Sequence, residues 1–128
     1  MDKKKDIELI LLKGHLILEV FVENLLCNGS LEQFVTSSFY KKVSVLNQLQ
    51  GCHLENVEVI QQHLFTLNKI RNKFAHEWGF SVSESDLEGW SQKVLSTFNG
   101  EKFSKYTYRT KIIHAFSALS GALVEIQQ

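Results

Sequence analysis

Apolar residues recur at helical spacing along most of the chain, and no stretch sustains the alternation of a strand. Four long periodic segments predict helices, at about Lys4 to Cys27, Glu55 to Trp78, Glu84 to Phe98 and Lys105 to Ile126. Between the first two, SFYKKVSVLNQLQG predicts a helix closed by Gly51, with a short helix before it. There is no proline to interrupt these segments. The pattern predicts an all-α, up-and-down bundle of four to five helices, forming one domain over residues 1–128.

Small and polar residues mark the predicted helix ends. SLEQ, from Ser30 to Gln33, matches a capping box and predicts a helix start there. Ser83 is the predicted N-cap of the helix that begins at Glu84. Glycines follow four of the apolar segments, as helix C-caps do, at Gly29, Gly51, Gly79 and Gly100.

The central stretch LNKIRNKFAHEWGF places a charge inside an apolar stripe. At about 100° per residue, Arg71 falls within a stripe formed by Ile60, Leu64, Leu67, Phe74 and Trp78. An unpaired charge in such a stripe costs several kcal/mol. Arg71 therefore has to meet a carboxylate, a ligand phosphate or water in a cleft. Glu19 and Glu23 of the first helix are the candidate carboxylates for structural pairing.

A second, polar line follows the same helix. Asn68, Asn72 and His76 are spaced four residues apart, so they stack on one flank and predict a wet groove. Arg71 and His76 point about 140° apart on an ideal helix. Either the arginine side chain sweeps around, or two copies of the helix share one groove, which favours a homodimer. A buried arginine with an acidic partner and a histidine near a helix end are also ordinary features of helical bundles.

The remaining histidines and cysteines predict no metal site and no cofactor. His15 lies one turn before Glu19, and we expect a local pair between them. No two histidines stand with a carboxylate at metal-ligand spacing. Cys27 and Cys52 are far apart without metal-like spacing, which favours a reduced, cytoplasmic chain, although a disulfide between them stays open.

Composition limits the classes of function. The 14 basic and 14 acidic residues give zero net charge, so the chain has no overall basic field to attract nucleic acid, and RNA contact requires a local cluster. The N-terminus lacks the features of a signal peptide, and no segment approaches 18 uninterrupted apolar residues, so we expect no membrane association.

A local basic cluster occurs in EKFSKYTYRTKIIHAF. Its Lys105, Arg109 and Lys111 stand beside tyrosines, and such a combination can hold a single strand by charge and stacking. Lys69 and Lys73 of the central helix are further weak candidates for RNA contact. The alternative interpretation is a solvated helix start with packed tyrosines.

RNKFAH, from Arg71 to His76, is the R-x-x-x-x-H pattern of the HEPN (higher eukaryotes and prokaryotes nucleotide-binding) superfamily. Asn72 follows the arginine, at a position that is often polar in that family. The segments GHLILEVFVENLL, SFYKKVSVLNQLQG and LNKIRNKFAHE, with FSVSESDLEGW after them, resemble the mannitol-repressor (MtlR-like) branch. The resemblance extends over roughly residues 10 to 95.

The resemblance implies a four- or five-helix bundle, usually dimeric, in which paired motifs form a groove that cleaves RNA without metal. The RNA 2′-hydroxyl attacks the adjacent phosphate, so the substrate supplies its own nucleophile. By this resemblance His76 is the acid/base, Arg71 the electrostatic clamp and Asn72 the positioning residue. Such a nuclease acts as a toxin or defence component, restrained by an antitoxin or regulatory protein.

The chain departs from some toxin members of the family. Where they carry a tyrosine that an antitoxin modifies, this sequence has Trp78, which has no hydroxyl. The alternative function is a non-catalytic regulator or adaptor of the mannitol-repressor kind, acting through protein–protein contacts. No helix-turn-helix reader is evident, so neither interpretation includes sequence-specific DNA reading.

Overall fold

The structure is a computed structural model that describes residues 3–49, 54–76, 84–98 and 107–126. Within these ranges the chain is helical and contains no strand, so the predicted all-α class is confirmed. The α-helices are α1 (Lys3–Asn28), α2 (Phe39–Ser44), α3 (Leu54–His76), α4 (Glu84–Phe98) and α5 (Tyr108–Ile126). Short 3-10 turns, Glu32–Phe34 and Leu46–Gln48, flank α2.

The five helices pack together around one apolar core. α5 packs against α1 and α4, α4 packs against α3, and α3 packs against α1, while the short α2 contacts both α1 and α3. The burial of each large aliphatic side chain contributes roughly 1.5–3 kcal/mol to folding. Every α-helix supplies core residues, which include Leu18, Val22, Val43, Leu64, Leu67, Leu87, Leu95, Ile112 and Leu119.

The long helices begin and end close to their predicted limits. α4 covers the predicted residues Glu84 to Phe98, α1 differs from its predicted limits by one residue at each end, and α3 begins one residue before its predicted start. The predicted end of α3 at Trp78 lies outside the described residues. α5 begins at Tyr108, and the predicted start at Lys105 lies outside the described residues. The proposed caps Gly51, Gly79, Ser83 and Gly100 also lie outside them. The predicted helix through SFYKKVSVLNQLQG is shorter than expected and continues as a 3-10 turn.

The chain leaves α1 through Ser30 and not through a capping box. Ser30 has a left-handed φ of 62°, and the N–H of Leu31 donates to the carbonyl of Leu26 at 2.7 Å. These features close a helix C-terminus, so the prediction that Ser30 caps a following helix is wrong. The serine that caps α2 is Ser38, whose Oγ accepts from the N–H of Lys41 at 3.2 Å.

Gly29 is required by packing, whereas Ser30 takes the left-handed conformation. A Cβ at Gly29 would overlap the side chain of Leu49 and approach the carbonyl oxygen of Leu25 to 3.1 Å. The glycine therefore allows the segment after α2 to pack closely against the end of α1.

Ser30→Gly is expected to stabilise the fold by about 0.5–1 kcal/mol, because glycine adopts positive φ without the steric cost of a Cβ. Ser30→Ala keeps the Cβ and serves as the matched control, for which we expect no gain. Urea unfolding at neutral pH measures both variants. A stability for Ser30→Gly at or below that of Ser30→Ala would contradict the strain assigned to this turn.

The outer strip of α1 carries large apolar side chains in water, and it consists of Leu9, Leu16, Ile17 and Val20. Leu16, Ile17 and Val20 expose 59%, 53% and 55% of their surface. These side chains form an apolar surface on α1. None of the helices in the described residues combines the length and the apolar character needed to cross a membrane.

Candidate functional site

Arg71 lies near the C-terminal end of α3, one turn after the buried Leu67. Ile60, Leu64 and Leu67 are at most 2% exposed, so this part of the predicted apolar stripe is confirmed, and Arg71 itself is half-buried. The side chains of the last two predicted stripe residues, Phe74 and Trp78, lie outside the described part. Among the residues described, no carboxylate stands within ion-pair distance of the Arg71 guanidinium.

The two carboxylates expected to pair with Arg71 are bound by a different cation. Lys42 of α2 is 5% exposed, and its Nζ lies 3.1 Å from Glu19 Oε2 and 2.7 Å from Glu23 Oε1. Burial lowers the pKa of Lys42, but the hydrogen bonds to Glu23 and Glu19 outweigh it and leave this pKa above its usual value. The expectation that Glu19 or Glu23 pairs with Arg71 is therefore corrected, and both carboxylates belong to a structural cluster with Lys42.

The sequence contains a signal for this cluster. Glu19 and Glu23 are one turn apart on an otherwise apolar helix, and Lys42 stands between residues that α2 buries, Phe39 and Val43. Two carboxylates on a buried flank require a cation, since unpaired buried charge is costly. A lysine flanked by core positions is the residue type that can supply it.

His15 faces α3 and makes its hydrogen bond there. Its ring is 5% exposed and packs on Phe39, with centroids 4.3 Å apart. Nε2 donates to the side-chain oxygen of Asn68 at 3.3 Å. The predicted local pair with Glu19 is therefore corrected, because Glu19 is held by Lys42 and the imidazole is held across the helix interface.

The charge of Arg71 reaches His15. Burial is the largest influence and lowers the pKa of His15, whereas the hydrogen bond to Asn68 raises this pKa. The positive charge of Arg71 lowers the pKa of His15, and the negative charge of Glu19 raises it. The net effect is a lowered pKa. A neutral imidazole and the Asn68 amide thus meet at the junction of α1 and α3, and the charge of Arg71 acts on this imidazole.

Acidification is expected to destabilise the fold through His15. Because the pKa of this group is depressed in the folded chain, its contribution to stability is complete above the unfolded value of about 6.5 and is lost as pH falls toward the folded pKa. An NMR titration should place the His15 imidazole below 6.5. Urea unfolding from pH 7.5 to 5 should show a smaller loss of stability in His15→Gln than in the parent.

His63 contributes with the same sign, because burial and then the charge of Lys93 lower its pKa. The variant His63→Gln separates this contribution from that of His15. If His15 titrates at or above the unfolded value, or if His15→Gln has the same pH dependence as the parent, the assignment is wrong.

The polar flank of α3 is present in part. Asn68 and Asn72 are half-buried, and Asn68 is bound to His15. His76 belongs to α3, and its side chain lies outside the described part of the chain. Since α3 is continuous from Leu54 to His76, positions 71 and 76 lie about 140° apart around the helix axis.

The predicted RNA-contact residues separate into two groups. Lys69 and Lys73 are exposed on α3. Arg109 pairs with Asp6 of α1, Nε to Oδ2 2.6 Å, and Lys111 pairs with Glu88 of α4, Nζ to Oε1 3.3 Å. These two residues thus form ion pairs with different helices, and their contact with RNA stays a prediction. The fifth candidate, Lys105, lies outside the described residues.

Within the ranges that the structure covers, no group of three or more His, Cys, Asp or Glu side chains is arranged to hold a metal ion. Cys27 is free and exposed, and Cys52 lies outside these ranges.

The polar residues at the junction of α1, α2 and α3 form a site with two distinct parts. In one part Lys42 binds Glu19 and Glu23. In the other, Arg71 has no ion-pair partner among the described residues. The resemblance to the HEPN superfamily depends on the sequence segments quoted above. Comparisons with protein-family models, curated proteins and solved structures found no match to this chain.

Proposed function

We propose that this protein is a HEPN-like, metal-independent endoribonuclease that acts in the cytoplasm as a homodimer. The observation that carries the proposal is the state of Arg71. It is half-buried and has no carboxylate partner among the described residues, and the two glutamates predicted to pair with it are bound by Lys42. A guanidinium in such a place is suited to bind a phosphate, whose oxygens match its fork of donors.

The proposed reaction uses groups of the chain and of the substrate. The RNA 2′-hydroxyl attacks the adjacent phosphorus, and the bond to the 5′-oxygen of the next nucleotide breaks. His76 accepts the proton of the 2′-hydroxyl and returns a proton to the leaving oxygen, which histidine can do near neutral pH. Arg71 stabilises charge on the phosphoryl oxygens, and Asn72 positions the phosphate or His76. The products are a 2′,3′-cyclic phosphate and a 5′-hydroxyl.

A homodimer resolves the divergence of Arg71 and His76 along α3. Arg71 of one copy and His76 of the other can meet one phosphate in a groove between two α3 helices. The proposal therefore predicts that dimerisation and activity are lost together. An antitoxin or regulatory protein that covers this groove would restrain the enzyme.

The test is incubation of single-stranded RNA with the purified protein in the presence of EDTA. We expect cleavage that leaves cyclic phosphate ends and that is abolished in His76→Ala. His63→Gln is the matched control, since it changes another histidine of α3, one that contacts Thr97 of α4. Absence of cleavage by the parent, or equal cleavage by His76→Ala, would overturn the proposal.

The second candidate is a non-catalytic regulator or adaptor that acts through protein–protein contacts. The outer strip of α1 favours it, because three large apolar side chains that are more than half exposed are typical of a contact surface. An inactive parent that forms a stable complex with a protein partner, and loses it on Ile17→Asp, would support this function.

A further inference from the structure

An exposed aromatic pair lies where α2 meets α3. Tyr40 exposes 61% of its surface, and its ring packs on the half-buried Phe65 with centroids 4.9 Å apart and planes inclined by 33°. The Tyr40 ring thus packs on the Phe65 ring and remains largely exposed to solvent. We refer to Tyr40 and Phe65 as the aromatic shelf.

The aromatic shelf adjoins the two exposed lysines of α3, Lys69 and Lys73. Lys69 lies one turn after Phe65, and Asn72 and Lys73 lie two turns after it, with both lysines exposed. Two helical turns extend about 10 Å, the length of roughly three stacked nucleotides. Glu58 lies two turns from Phe65 in the opposite direction, so positive charge concentrates on the side of the shelf that leads toward Asn72.

An exposed tyrosine ring that packs on a second aromatic ring is suited to stack on a nucleobase. Every base offers a π-face, and stacking on an aromatic residue beside cations holds single strands with little sequence preference. The aromatic shelf supplies the stacking surface, while Lys69 and Lys73 supply charge for the phosphates.

We propose that Tyr40, supported by Phe65, stacks on a base of single-stranded RNA whose backbone follows α3 past Lys69 toward Asn72. The inference rests on the proposed function in one respect, since it identifies how the substrate of that site is held. It assigns a role to a residue outside the R-x-x-x-x-H motif.

The test measures binding without cleavage. A fluorescein-labelled 2′-O-methyl RNA 12-mer lacks the attacking hydroxyl, and its affinity is read by fluorescence anisotropy at fixed salt. Tyr40→Ala is expected to raise Kd about 5- to 30-fold, in line with the loss of one stacked base. Tyr40→Phe retains the ring and should bind within twofold of the parent. Circular dichroism checks that both variants keep their helix content.

Phe98→Ala is the matched control, because Phe98 is an exposed aromatic of α4 that packs edge-on against His63, away from α2. We expect its Kd to be unchanged. A second control replaces single nucleotides of the 12-mer with abasic residues. This replacement should weaken RNA binding by the parent more than it weakens RNA binding by Tyr40→Ala. No binding by the parent, unchanged binding by Tyr40→Ala, or equal losses in Tyr40→Ala and Phe98→Ala would overturn the inference.

The outcomes separate this inference from the proposed function. If cleavage depends on His76 but not on Tyr40, the proposed nuclease function is retained and the proposed role of the aromatic shelf is wrong. If RNA binding depends on Tyr40 but the protein does not cleave RNA, the role of the aromatic shelf is retained and the proposed nuclease function is wrong. If Tyr40→Ala abolishes dimerisation in sedimentation and leaves the RNA affinity per subunit unchanged, the shelf is a contact between copies and the inference is wrong.

Discussion

Arg71→Gln is expected to reduce the rate of RNA cleavage by about 10²- to 10³-fold, the effect of removing one preorganised donor to a developing oxyanion. The fold should survive, with a loss of roughly 1 kcal/mol or less, because Arg71 is half-buried and no described carboxylate depends on it. Single-turnover cleavage and urea unfolding measure the two effects. Lys93→Gln, which removes an exposed cation of α4, is the control and should retain the rate.

Arg71→Gln also has an expected effect on the pKa of His15, which can be measured without RNA cleavage. Since the positive charge of Arg71 lowers the pKa of His15, Arg71→Gln should raise that pKa in an NMR titration, and Lys93→Gln should not. Cleavage by Arg71→Gln at the parental rate would show that the guanidinium does not act on the phosphate. If the pKa of His15 rises in Arg71→Gln while RNA cleavage continues at the parental rate, Arg71 has a structural role beside the imidazole.

The long helices were predictable because periodicity over many residues reports a buried face that local signals cannot reverse. α4 illustrates this, since Leu87, Trp90, Val94 and Leu95 recur at helical spacing and all enter the core. The region after α1 was not predictable in the same way. The SLEQ pattern satisfies the local rule for a helix start, but the hydrogen bond from Leu31 to Leu26 ends α1 through Ser30.

The site was predictable as a set of residues more than as a set of contacts. Helical periodicity placed Arg71 within an apolar stripe, and Glu19 and Glu23 were named as candidate carboxylates. The core positions beside Lys42 are a signal for their true partner, but the contact itself depends on how the six-residue α2 packs across α1 and α3. The same long-range packing brings His15 onto Asn68, 53 residues away.

Gly14→Ala is expected to destabilise the fold by about 1–3 kcal/mol, the usual effect of overfilling a packed core. Gly14 lies inside α1 where α5 crosses, and a Cβ built there would be 2.5 Å from Cε1 of the Phe116 ring. That ring cannot move away easily, because it is buried and packs against Trp90 with centroids 5.1 Å apart. The clash should outweigh the gain of about 1 kcal/mol in helix propensity.

Gly121→Ala is the matched control and should change stability in the opposite direction. Gly121 lies inside α5, it is exposed, and a Cβ there would meet nothing within 4 Å, so only the propensity gain of about 0.5–1 kcal/mol remains. Urea unfolding followed by tryptophan fluorescence compares both variants with the parent. Phe116→Leu should recover part of the loss in Gly14→Ala, since contacting residues couple in a double-mutant cycle. If both alanine variants are stabilised equally, α1 and α5 are not as close as the contact between Gly14 and Phe116 requires, and the packing that orients the polar flank of α1 toward α2 and α3 would have to be reconsidered.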